Sequence, residues 1–212
     1  MHPVTVSQRR AIEAGFTIIE AMVGLVIMAI LLAFGMPRMT DWLGATRAAG
    51  AAGFYAEGFT VARMQALSNN SQSRLVFVAN AGSQPDWRVD ICLRTTDVPC
   101  TLDSDWSGET AGPKGASGAP AAFRSIRRSA ATLPPATRLA VTLGPGAGNS
   151  VYFTPLGWVD TGRAQRITEV GLAAPAGQAG AFKRSAVVLT LAGVAVTCDP
   201  DAAPTASNRC PG

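Results

Sequence analysis

Gly15-Phe16-Thr17-Ile18-Ile19-Glu20 is the stretch that decides how this chain is read. It opens an apolar run from Phe16 to Met36 in which Glu20 is the single charge. As a helix, that run would be roughly 32 Å long, enough to cross a bilayer core. Arg9 and Arg10 precede it, and basic residues in that place stay cytoplasmic. The remainder of the chain is then expected on the far side of the membrane. A secretory signal peptide is one reading, because Ala33-Phe34-Gly35 offers small residues around a cut. A plain transmembrane anchor is another. Glu20 speaks against both: a carboxylate within an apolar run costs about 2–3 kcal/mol at mid-membrane, less near its end. Neither a signal peptide nor an anchor gains anything from that cost.

A short basic leader ending in Gly15, then Phe16, then a glutamate at the fifth position after the cut, Glu20, resembles the type IV pilins and type II secretion pseudopilins. The resemblance implies that a prepilin peptidase cuts after Gly15 and methylates the new amine of Phe16. It further implies assembly with other major and minor pilins or pseudopilins at the bacterial inner membrane. Pro37 matches the proline that bends pilin helices. On its own chemistry Pro37 removes one helical hydrogen bond, which kinks a helix or marks its end. Glu20 also has a physical use in such an assembly. The Phe16 amine of one subunit and the Glu20 carboxylate of a neighbour can neutralise one another between packed helices, fixing their axial stagger.

The 212 residues are 48% hydrophobic and 15% charged, a composition that supports a real core. The net charge of +4 is mild and falls by one when Arg9, Arg10 and Glu13 leave with a leader. The one histidine, His2, would leave with them. A chain without histidine has no imidazole for acid/base chemistry or metal ligation. No Gly-x-Ser-x-Gly elbow and no phosphate-cradling glycine motif is present, so an enzyme, a metal site or a cofactor is not expected. Asp97, Asp103, Asp105 and Glu109 lack calcium-loop spacing and read as a solvated loop. Cys92, Cys100, Cys198 and Cys210 allow three disulfide pairings. An even count in an exported chain favours disulfides, and the local pairs Cys92–Cys100 and Cys198–Cys210 close short loops. The second would tie down the polar tail from Asp199 to Gly212.

Four segments are expected: a leader over 1–15, a transmembrane helix over 16–36, a continuing periplasmic helix over 37–70, and a β-rich domain over 71–212. Trp42, Ala45, Ala49, Ala52, Ala56, Phe59, Ala62 and Ala66 recur every three or four residues and predict an apolar seam for a sheet to cover. Gly44, Gly50, Gly53 and Gly58 weaken that helix in isolation by about 1 kcal/mol each, so it relies on packing. Ser68-Asn69-Asn70-Ser71 reads as its stop. Strands are predicted over 74–78, 87–93, 138–143, 150–154, 186–191 and 194–198, with a hairpin turn at Ala192-Gly193. Residues 107–121 and 171–181 read as Gly/Ala/Pro-rich loops. The expected fold is α+β: a long N-terminal helix packed on an antiparallel β-sheet domain, pilin-like.

Ala62-Arg63-Met64-Gln65-Ala66, Leu75-Val76-Phe77 and Trp87-Arg88-Val89-Asp90-Ile91-Cys92 together resemble the GspH/FimT group of minor pilins. So do Phe153-Thr154-Pro155-Leu156-Gly157, similar to that group's Phe-x-Pro-x-Gly element, and the final hairpin ending in Cys198-Asp199-Pro200. The resemblance implies a minor pilin or pseudopilin, at the tip or in an initiation complex, of a type IV pilus or a type II secretion pseudopilus. Two alternatives stand beside it. One is an uncleaved, membrane-anchored periplasmic binding domain. The other is a DNA-binding minor pilin of natural transformation, since some relatives use a C-terminal Gly-Arg-x-Arg motif. The matching slot here, Gly193-Val194-Ala195-Val196, has neither arginine. Arg163 and Arg166, in a near-miss of that motif, and Arg127 and Arg128 are the candidate phosphate contacts. DNA is therefore a partner the residues permit but do not favour.

Overall fold

The helix α1 runs from Ile18 to Ser68 and is followed, among the described residues, by strands, turns and one short 3-10 helix at Ala130–Thr132. The computed structural model describes residues 17–80, 84–92, 100, 105–109, 124–178, 180 and 182–211, without the side chains of Pro37, Arg38 and Thr40. The leader with His2, Arg9, Arg10 and Glu13, the proposed cut at Gly15–Phe16, and Asp97 and Asp103 lie outside the described residues. The chain forms two units, one ending at Thr40 and one beginning at Asp41.

In the first unit α1 is apolar on every side. Ile18, Ile19, Met22, Leu25, Leu31 and Phe34 are all exposed within the chain. The stretch is long and apolar enough to cross a membrane. Helical structure continues through Pro37, so that residue does not end the helix.

In the second unit the helix covers antiparallel strands, an α+β arrangement of pilin type. Strands β1 (Gln72–Val78), β2 (Asp86–Cys92), β3 (Ile126–Arg128) and β5 (Ser150–Phe153) form one sheet in the order β3-β2-β1-β5. Strands β4 (Ala140–Gly144), β6 (Glu169–Ala173), β7 (Ser185–Leu189) and β8 (Ala195–Cys198) form a second, in the order β4-β6-β7-β8. The single sheet face expected for the helix is thus replaced by inner faces from two sheets. Leu75, Phe77, Trp87, Val89, Val151 and Phe153 of the first share one core with Val170, Leu172, Val187 and Leu189 of the second.

The helix presents to that core a face slightly rotated from the one the spacing suggested. Ala48, Ala51, Ala52, Tyr55, Phe59, Ala62 and Ala66 are buried, whereas Ala45 and Ala49 are exposed and Trp42 is 65% exposed. Alanine stands at both Ala48 and Ala49, so a three-or-four step cannot choose between them. The large side chains of Tyr55 and Phe59 choose, because burying each is worth about 1.5–3 kcal/mol and they pull their own stripe inward. Tyr55 donates its hydroxyl to the Pro85 carbonyl (3.1 Å), and Trp87 donates its indole N–H to the Phe54 carbonyl (3.0 Å). These bonds lock β2 to the helix.

The helix ends as a Schellman motif. Asn70 takes the left-handed conformation (φ 45°), its N–H bonds Leu67 O, and the Ser71 N–H bonds Ala66 O. Beyond it the predicted strands form within a few residues of their expected bounds. The missed ones are instructive. β3 is three residues with two arginines and no alternation to read. β6 overlaps the 171–181 segment expected to be loop. Its Gly171 and Ala173 dilute the β signal, and only Val170 and Leu172 alternate inward.

Candidate functional site

The N-terminus of α1 is built by Thr17. Its side-chain oxygen accepts the Glu20 backbone N–H (3.3 Å), and its carbonyl accepts Ala21 N–H (3.1 Å). Thr17-x-x-Glu20 is thereby half of a capping box, with threonine satisfying one of the helix's orphan donors. The bond occupies only the main chain of Glu20. Its exposed carboxylate sits in the first turn, where the helix dipole favours negative charge. The sequence carried this signal, a threonine three residues before a glutamate at the head of an apolar run, and reading Glu20 for assembly alone passed it over. Glu20 thus stands at the start of a helix whose large apolar side chains as far as Met36 are exposed within the chain.

The four arginines considered for DNA lie in two separate places and are engaged inside the protein. Arg127 on β3 reaches Asp86 (2.9 Å) and Glu109 (3.1 Å), and Arg128 reaches Glu57 of α1 (3.3 Å). Arg163 stacks over the Tyr152 ring at 4.1 Å and donates to the Cys100 carbonyl (2.8 Å), while Arg166 donates to the Arg163 carbonyl (3.0 Å). These contacts turn the arginines to structural use. The disulfide Cys92–Cys100 holds the carbonyl that Arg163 uses, and Cys198–Cys210 ties the tail beside β8.

The outer face of the first sheet holds a buried acid–base network. Asp90 is fully buried and accepts from Arg74 (2.8 Å), Arg88 (2.8 and 3.2 Å) and Ser125 (2.6 Å). Asp86, also buried, accepts from Ala130 N–H (2.8 Å), Arg127 (2.9 Å) and Asn80 (3.2 Å). Burial alone would raise the Asp86 carboxyl. The Ala130 N–H, the Arg127 guanidinium and the Asn80 amide outweigh it and hold the group below its ordinary 3.8. A carboxyl lowered by folding contributes stability above its unfolded value and loses it as pH falls through the folded one. Stability is therefore expected to fall as pH drops below about 4, and Asp86→Asn should flatten that acid limb in denaturation curves taken from pH 6 to pH 2.

Three of the segments named earlier meet at one point. Gly157 closes the Phe153–Gly157 turn, and its carbonyl accepts from Arg63 of α1 (3.3 Å). A Cβ placed on Gly193 would run into that same carbonyl oxygen and lie 3.0 Å from Arg63 Cδ. The helix segment around Arg63, the turn at Gly157 and the β7–β8 turn at Gly193 are one packing node. The common thread in those segments is close backbone approach.

Compared with known families, residues 10–36 match the prokaryotic N-terminal methylation motif. The match supports a type IV pilin-like protein. Neither curated proteins nor solved structures gave a match.

Proposed function

We propose that the chain is a minor pilin or pseudopilin. It is cleaved after Gly15 by a prepilin peptidase, methylated at Phe16 and held in the inner membrane by residues 16–36. Residues 37–70 and the β-rich domain of 71–212 then face the periplasm. Through its N-terminal helix the subunit joins a type IV pilus or a type II secretion pseudopilus, at the tip or in an initiation complex. Pro37 bends the helix where it leaves the bilayer. One observation carries this reading: the methylation motif overlaps the first part of α1, whose large apolar side chains from Ile18 to Met36 are exposed in the isolated chain. Lipid covers such a helix before assembly and neighbouring helices cover it afterwards. The role is structural, and no catalytic step is assigned.

Mass spectrometry of the mature protein is expected to find a methylated Phe16 as its first residue. A chain beginning at Met1, or one cut after Gly35, would sink the proposal. Glu20→Ala and Glu20→Leu should insert into the membrane normally and lower filament incorporation about tenfold or more, as loss of a charge partner in a low dielectric requires. Thr17→Ala separates capping from assembly. It removes the cap, worth about 1 kcal/mol, but leaves the carboxylate, so incorporation should change far less than in either Glu20 variant.

A further inference from the structure

A groove of about 510 Å³ runs between α1 and the segment joining β3 to β4. One wall is Arg47, Gly50 and Ala51 of the helix. The other is Thr132, Leu133, Pro134, Pro135 and Arg138. Its apolar floor is rigid for identifiable reasons. Two successive prolines fix the backbone. The buried Gln84 amide donates to Pro134 O (3.0 Å) and Leu139 O (2.6 Å), pinning both ends of the segment. Pro135 O accepts from the N–H groups of Arg138 and Leu139, and Leu133 N–H bonds Ala130 O. The wall's own polar backbone is thus largely spent, and the prolines bring no N–H. What it leaves for recognition is Arg47 and Arg138. Both are exposed, and neither guanidinium has an ion pair or hydrogen bond among the described residues. That separates them from Arg63, Arg74, Arg88, Arg127, Arg128, Arg163 and Arg184, which all have partners. A Cβ on Gly50 would meet nothing within 4 Å, so a larger side chain there has room to enter the groove it lines.

We propose that this groove is a docking site for an acidic segment of a protein partner, in which two carboxylates flank an apolar side chain. The apolar residue seats on Leu133, Pro134 and Pro135, and the carboxylates pair with Arg47 and Arg138. Guanidinium forks suit carboxylates because they can be met by two parallel hydrogen bonds. A nucleic-acid backbone would call for a continuous track of cations, and here two cations bracket an apolar floor. The assignment rests on the β domain and does not depend on how the N-terminus is processed.

The test uses the full chain in detergent micelles and two fluorescent peptides, Glu-Leu-Leu-Glu and its Gln-Leu-Leu-Gln counterpart, followed by anisotropy. The acidic peptide should bind about tenfold or more tighter than the amide. Arg47→Glu with Arg138→Glu should erase that preference, and Arg47→Lys with Arg138→Lys should retain most of it. Gly50→Leu, which fills the groove without touching charge, should weaken the acidic peptide about tenfold. Equal affinity for the two peptides overturns the proposal. So does full binding by the Gly50→Leu variant, because it would reduce the effect to diffuse surface charge. Displacement of the peptide by an anionic-lipid vesicle or a single-stranded oligonucleotide, with the same dependence on Gly50 and both arginines, would also overturn it, giving the groove to phosphate.

Discussion

Asp90→Ala is expected to destabilise the β domain by about 3–5 kcal/mol, the cost of taking one partner out of a buried ionic group. The side chain has no access to solvent, and three donors converge on it from β1, β2 and the segment before β3. Arg88 is more than a quarter exposed and can turn to water. Arg74 is only 10% exposed and lies under the Trp106 ring at 4.8 Å, so it cannot. Removing the carboxylate therefore takes a hydrogen-bonded counter-charge from a guanidinium that has little room to re-solvate. Asp90→Asn keeps an acceptor and loses the charge, and should cost less, about 2 kcal/mol. Ser125→Ala removes one donor from the rim and should cost about 1 kcal/mol. Urea denaturation of the full chain in detergent, followed by tryptophan fluorescence, ranks the three. If Asp90→Ala falls below Ser125→Ala, the network does not hold the sheet.

The second large effect is expected at Gly193. Its φ of 76° belongs to the left-handed region, where an alanine costs about 1–2 kcal/mol. The Gly157 carbonyl then blocks the space a Cβ needs, and it is backbone with little freedom to move. Gly193→Ala should therefore cost about 2–4 kcal/mol, strain and clash together. Gly177 isolates the first part. It has φ 90° and nothing within 4 Å of where a methyl group would stand, so Gly177→Ala should cost only about 1–2 kcal/mol. Equal losses at the two glycines would mean that the meeting of the two turns contributes nothing.

Much of this was legible in one dimension because it is encoded locally. The apolar run with Glu20 at its head, the Asn70 stop and the short β-like runs of β1, β2, β5, β7 and β8 each depend on neighbours in sequence. What was not legible depends on distant partners. β3 exists because Arg127 finds Asp86 across the chain, and nothing in Ile126-Arg127-Arg128 announces it. The buried face of α1 was set by Tyr55 and Phe59 packing against β1 and β2, while alanines on either side of the true stripe look alike. Arg127, Arg128, Arg163 and Arg166 read as free cations in the sequence. Their acceptors (Asp86, Glu57 and the carbonyls of Cys100 and Arg163) appear only in the fold. Arg138 was legible only as one more basic residue, and nothing in the sequence joins it to Arg47 across the groove.

The ties between α1 and the sheets also bear on how the domain responds to force. Trp87 and Tyr55 grip the helix at one level, Ser73 bonds Ala62 O (2.6 Å) further along, and Arg63 holds Gly157 near the end. Tension applied along the helix axis would meet these bonds as a set loaded sideways and in parallel. They would have to yield together, in contrast to a hairpin that unzips one rung at a time. A subunit drawn by its helix would thus be a shear joint, with its resistance governed by the unfolding rate.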